Sequence, residues 1–317
     1  MTDDQQPSTK RKPNRATLIG VGVAVAVGAG AFVVLNSNQS TSDEPAVETA
    51  QAAAHEASSV QTAHFSQTDD APNAPQTPPP PAEVTGALSA DGGSVNFKDE
   101  TLTFDATFPP GPANDPALTA IRNDALTFLA SRKAQARATF DEMKKEGNTG
   151  PAWPWEVMIG WEYTARAGDI ISLAGSAFEF SGGAHGNVQF DTHVARTSGA
   201  ALKVGDMLQG GITPALVIGM CEALKVEKVK RIGAATVYDD AVNCAGPNAN
   251  VKIEEAKLAL ASSSENNKFG GILVYWGPYA VGPYVEGPYE VVVQQEVFAQ
   301  DLRPEFKPLF GGTAPPV

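Results

Sequence analysis

The chain has 317 residues, 42% of them hydrophobic, and a formal net charge of −13. That is enough material for one or two ordinary cores once non-globular segments are set aside. The acidic balance argues against nucleic acid as a partner, and two cysteines with no H-E-x-x-H are too little for a standard zinc site.

Residues 16–35, ATLIGVGVAVAVGAGAFVVL, carry no charge over 20 positions. At about 1.5 Å per residue they cross the roughly 30 Å hydrocarbon core of a bilayer. Lys10, Arg11, Lys12 and Arg15 precede this run, whereas residues 36–92 contain no Lys or Arg. The charge bias predicts a cytoplasmic tail over 1–15, a single transmembrane helix over 16–35, and everything after it outside the cytoplasm. Bulky Val34 and Leu35 at the end of the run favour an uncleaved anchor over a signal peptide. Residues 36–92, rich in Ala, Ser, Thr, Gln and Pro, cannot bury enough surface to offset their ordering entropy. They read as a disordered tether spanning on the order of 45 Å.

The globular part begins near Val95. Leu102, Phe104, Ala106 and Phe108 alternate with polar residues, predicting a half-buried strand that stops at Pro109 and Pro110. Asp115 as N-cap and Pro116 at the first helical position then open a long helix, with apolar residues at helical spacing from Leu118 to Met143. Three strand-like runs follow, Trp155 to Ala165, Ile170 to Phe180 and Val188 to Arg196, most economically paired antiparallel. Thr213 and Pro214 open a second helix whose basic end suits the helix macrodipole. Strands at Ala256–Ala261, Gly271–Trp276 and Tyr289–Phe298 close the chain.

Two segments carry most of the functional information. SGGAHGN, Ser181–Asn187, has three glycines suited to a tight turn through positive φ, with His185 between them. YWGPYAVGPYVEGPY, Tyr275–Tyr289, repeats Gly-Pro-Tyr every five residues, which holds aromatic rings at low entropic cost. Together with TSGAALKVGDML, Thr197–Leu208, a Thr-Gly turn leading into a helix entry, they resemble the extracytoplasmic RsiV-like and PdaC-like module of paired domains of unknown function. That module is the sensor region of a lysozyme-sensing anti-sigma factor and the non-catalytic region of peptidoglycan deacetylases.

The resemblance implies an α+β fold of two packed subdomains, antiparallel sheets with covering helices, here at 93–188 and 189–312. It also implies recognition of lysozyme or a peptidoglycan-related partner at a bacterial inner membrane, with the folded domain periplasmic or extracellular. The roughly 15 residues before the span are expected to be too few for a folded sigma-factor-binding unit, and the residues outside the module are not expected to form a separate catalytic domain. Binding is therefore expected, with no cofactor and no metal.

The expected ligand-binding residues are Trp276, Tyr279, Tyr284, Tyr289, His185 and Asn187. The alternative is an envelope hydrolase acting on cell-wall glycan through His185 and nearby carboxylates. For that, Glu162, Glu179, Glu286 and Glu290 are available, and His185, Asp191 and His193 form only a thin metal set. A structural reading competes at each position: His185 bonded to its own turn, His193 exposed on its strand, and some of the tyrosines packed beneath the loop. After residue 92 there are 26 acidic and 19 basic side chains, a net of −7, a field that attracts a cationic protein. Cys221 and Cys244, the only cysteines and both beyond the span, are expected to form a disulfide.

Overall fold

The computed structural model describes residues 88–317 apart from 90, 113, 148–153, 234–241 and 245–248. The expected tail, the span at 16–35 and nearly all of the linker at 36–92 lie outside the described residues. Among those described, no helix is long and apolar enough to cross a membrane.

The fold is α+β, with few helices and two sheets. Six strands form the first sheet in sequence order: β1 (Ser94–Lys98), β2 (Leu102–Thr107), β3 (Trp155–Ala167), β4 (Ile170–Phe180), β5 (Asn187–Arg196) and β6 (Ala201–Leu202). The helix α1 (Pro116–Lys145) lies between β2 and β3 in the chain. Its cap is the expected one: the Asp115 carboxylate accepts from the backbone N–H groups of Ala117 and Leu118. Asp115 satisfies two amide donors that a helix start leaves open.

The antiparallel pairing expected of the three runs holds, β3 with β4 and β4 with β5, but the sheet as a whole is mixed. β2 and β3 run parallel, whereas every other neighbouring pair is antiparallel. The reason is α1 itself, a crossover long enough to return the chain to the same end of the sheet. β1 was not legible in the sequence, because only Val95 within it is fully buried.

Side-chain alternation divides the first sheet into two faces. Phe104, Val157, Ile159, Trp161, Ile171 and Leu173 join Leu118, Ile121, Ala125 and Leu129 of α1 in one core. The other face meets the second sheet. That sheet orders β7 (Lys257–Ser262), β8 (Phe269–Trp276) and β9 (Tyr289–Gln294), all antiparallel. Leu260 donates its N–H to the buried Ser172 hydroxyl of β4 at 2.9 Å, and Ala174 packs against Ala259 and Tyr275.

The second core lies between this sheet and α2 (Pro214–Ile232), where Leu216, Met220 and Leu224 meet Ile272, Val274, Trp276, Tyr289 and Val291. Ile170 and Val194 of the first sheet also enter it. Residue 189, the expected boundary between subdomains, falls inside β5, which pairs with β4 along its length.

Two further expectations change in detail. The last strand, expected through Phe298, stops at Gln294, and α3 (Gln295–Phe298) turns Phe298 into the second core. The helix entry expected at Thr197–Leu208 is instead the short strand β6 followed by one 3₁₀ turn, Val204–Met207. Cys221 of α2 and Cys244 form the expected disulfide, with Cα atoms 6.1 Å apart.

Candidate functional site

The glycine-histidine turn and the Gly-Pro-Tyr segment meet. Between β4 and β5 the chain reverses through Gly182 and Gly183, both at positive φ. Gly186 serves a different purpose: any side chain there would strike the Phe178 ring. The turn therefore lies flat on the end of β4 and presents His185 outward, exposed.

On this turn rests Tyr284. Its hydroxyl donates to the Gly186 carbonyl at 2.6 Å, and its ring stacks on the His185 imidazole with centroids 3.8 Å apart. His185 Nδ1 lies 3.0 Å from the same carbonyl. Tyr279 follows at 5.6 Å from Tyr284, completing a ladder of three rings. Offset and tilted rings at such spacing are favourable beyond their buried area.

Tyr279 is the outermost of them, 61% exposed. It sits at φ 68°, in the left-handed region, where the Gly277 carbonyl accepts from the Ala280 N–H and Pro278 occupies the second position of the turn. Glycine or asparagine is the usual occupant of that third position. Holding a tyrosine there costs about 1 kcal/mol, and the surrounding turn maintains it.

The other expected aromatics have a different place. Trp276 and Tyr289 are fully buried in the second core, so they support the surface from below. Asn187 is exposed at the start of β5, opposite Glu179.

Beneath the ladder is a polar cluster that the sequence did not assemble. Lys228 lies at the end of the stripe Leu216, Met220, Leu224 on the buried face of α2, and its ammonium pairs with Glu286 at 2.8 Å. The Tyr289 hydroxyl donates to the same carboxylate at 2.5 Å. Arg231 donates to the Glu286 and Pro288 carbonyls at 2.8 and 2.5 Å, and its guanidinium lies 4.1 Å from the centre of the Tyr289 ring.

Burial pushes the Glu286 carboxyl up, but the bonds from Lys228 and Tyr289 outweigh it and hold the group below its ordinary range. Burial, with Glu286 adding to it, raises the Tyr289 phenol. Gly282 is needed here because a Cβ at that position would stand 2.5 Å from the Glu286 carboxylate. The signal in the sequence is a lysine that continues the i+4 series of the core residues Leu216, Met220 and Leu224.

Of the candidate carboxylates, Glu162 and Glu290 come near one another beside Tyr275, whereas Glu179 and Glu286 each lie in other surroundings. Glu179 pairs with Arg132 of α1 at 2.9 Å, yet burial still raises it. Glu290 is raised by burial and by the charge of Glu162, against a bond with Tyr275. Glu286 is committed to Lys228 and Tyr289.

His193 is half-buried rather than exposed. Its strand position opposes Leu173, on the α1 side, and burial lowers its pKa against the pull of Asp191 and Asp115. His185 stacks on Tyr284 at the other end of β5, so the three members of the thin metal set do not converge. Among the described residues no group of three or more His, Cys, Asp or Glu side chains is placed to hold a metal ion.

Residues 95–188 match the family model described as deacetylase PdaC. No curated protein matches the chain. A solved DUF3298 family member from Bacteroides fragilis is 16% identical, covering 67% of this chain and 93% of its own, with a TM-score of 0.45. A DUF3298 family protein from Pseudomonas aeruginosa is 17% identical, covering 69% and 95%, with a TM-score of 0.47. The PdaC match runs from β1 through the glycine-histidine turn and so includes SGGAHGN, one of the segments that carried the resemblance, while the Gly-Pro-Tyr segment lies beyond it.

Proposed function

We propose that this protein is a membrane-anchored recognition module of the bacterial envelope that binds lysozyme or a peptidoglycan-related partner without turning it over. In this reading residues 16–35 span the inner membrane once, 36–92 tether the domain, and the domain faces the wall compartment. The PdaC-like segment supports the envelope setting, and a disulfide suits an oxidising compartment.

The single observation that carries recognition is the ladder His185–Tyr284–Tyr279, three rings fixed on one surface by stacking and by the shared Gly186 carbonyl. Rigid aromatics with a polar edge are favoured anchors because little rotamer entropy is lost on binding. The competing hydrolase reading finds Glu286 already engaged by Lys228 and Tyr289.

Titration of the soluble fragment 93–317 with lysozyme and with isolated peptidoglycan tests the proposal. Saturable binding with no release of muropeptides is the expected result. Turnover abolished by His185→Ala but retained after loss of Tyr279 and Tyr284 would establish the hydrolase instead.

A further inference from the structure

The outermost ring of the ladder also borders a cleft. An open hollow of about 400 Å³ lies between the C-terminal end of α2 and the Gly-Pro-Tyr turns, lined by Lys228, Ile232, Asn250, Tyr279, Pro283 and Glu286 among others. Lys228 and Glu286 line it as an ion pair whose side chains are only 5% and 11% exposed. Their charges cancel, so a bound anion or cation would have to divide a buried pair, leaving one charge uncompensated. A neutral ligand meets no such obstacle. The Lys228 ammonium has three donors, and the bonds that Glu286 accepts from Lys228 and Tyr289 both fall on Oε2, so hydroxyl groups can still use further ammonium N–H groups and the lone pairs of Oε1.

The rim supplies the complementary surface. Tyr279 is exposed and held at φ 68°, an outlier of the kind that concentrates at ligand clamps, and Pro283 adds a second rigid apolar face. A flat ring beside a neutral hydrogen-bonding wall matches a pyranose, whose C–H face is apolar and whose edge is ringed with hydroxyls.

We propose that this cleft binds a neutral glycan, with one pyranose stacked on Tyr279 and its hydroxyls bonded to Lys228 and Glu286. The assignment rests on the reading of the Gly-Pro-Tyr surface as a recognition surface and makes the occupant of the cleft a sugar chain rather than a protein.

The test is calorimetric titration of the full chain in detergent micelles with chitotetraose, a neutral oligosaccharide, and with its cationic, fully deacetylated counterpart. Saturable binding of chitotetraose is expected, with the cationic oligomer at least fivefold weaker. Tyr279→Phe should bind within twofold of the parent. Tyr279→Gly, which removes the ring and suits the positive φ, and Ile232→Trp, which fills the cleft, should each weaken binding at least fivefold while the melting transition stays unchanged. Chitotetraose affinity that survives Ile232→Trp in the folded protein overturns the assignment. So does absence of chitotetraose binding when lysozyme still binds, a result that leaves the recognition reading standing. Loss of binding to lysozyme, peptidoglycan and chitotetraose alike overturns both.

Discussion

The imidazole of His185 lies almost parallel to the phenol of Tyr284, centroids 3.8 Å apart and planes inclined by 23°, and both rings address the Gly186 carbonyl. The stack joins the β4–β5 turn to the segment between β8 and β9, so a ligand bridging them would meet one preassembled surface. Its consequences can be measured.

Tyr279→Ala and Tyr284→Ala should each weaken binding of lysozyme or isolated peptidoglycan by more than about 1 kcal/mol, the threshold for a hot spot. His185→Ala should lower both affinity and stability, because it removes the lower ring of the stack and loosens the turn. Calorimetry on variants with unchanged circular dichroism decides the point, and an unaltered affinity in the double tyrosine variant rejects this surface.

Glu286→Gln should destabilise the domain by about 3 kcal/mol, since it strands the Lys228 charge in the interior. The pH dependence has a definite sign. The folded carboxyl is held below its ordinary 4.5, so its contribution is present above that value and is lost as pH falls through the lower, folded pKa. Glu290 behaves oppositely, because burial and Glu162 raise it and its charged form is penalised at neutral pH. Glu290→Gln should therefore gain stability at pH 7. Urea unfolding of both variants at pH 7 and pH 4 distinguishes the two signs.

The Cys221–Cys244 bond closes a loop of sequence separation 23, for which loop-closure entropy gives about 3 kcal/mol. Replacing both cysteines with serine should lower unfolding stability by about that amount, whereas single replacement should release one alkylatable thiol. Rapid alkylation of both thiols in the unreduced native protein would contradict the bond.

The proposed membrane anchor makes a prediction of its own. Fractionation should find the mature protein in the membrane with its N-terminal peptides intact, because the apolar run is long and ends without small residues at a cleavage position. A soluble form beginning within residues 36–45 would overturn it.

Sequence patterning determined most of the regular elements. Asp115 and Pro116, Thr213 and Pro214, the alternation of β2 and the apolar strand-like runs of β3 to β5 and β7 to β8 are local signals, set by capping chemistry, by side-chain period and by bounding turn residues. The glycine-histidine turn and the Gly-Pro-Tyr repeat were likewise visible as rigid, ring-bearing segments. Tertiary structure decided what those signals could not reach. Trp276 and Tyr279 belong to the same repeat region, yet one is core and the other is 61% exposed, because the end of β8 faces α2 while the following turn faces solvent. The parallel β2–β3 pairing depends on where α1 returns the chain. The Lys228–Glu286 pair joins the basic end of a helix to one of several available carboxylates in a distant segment, and only the packing of α2 against β9 brings them out of water together. Local chemistry shapes an element, but burial and the partner across a contact are properties of the whole fold.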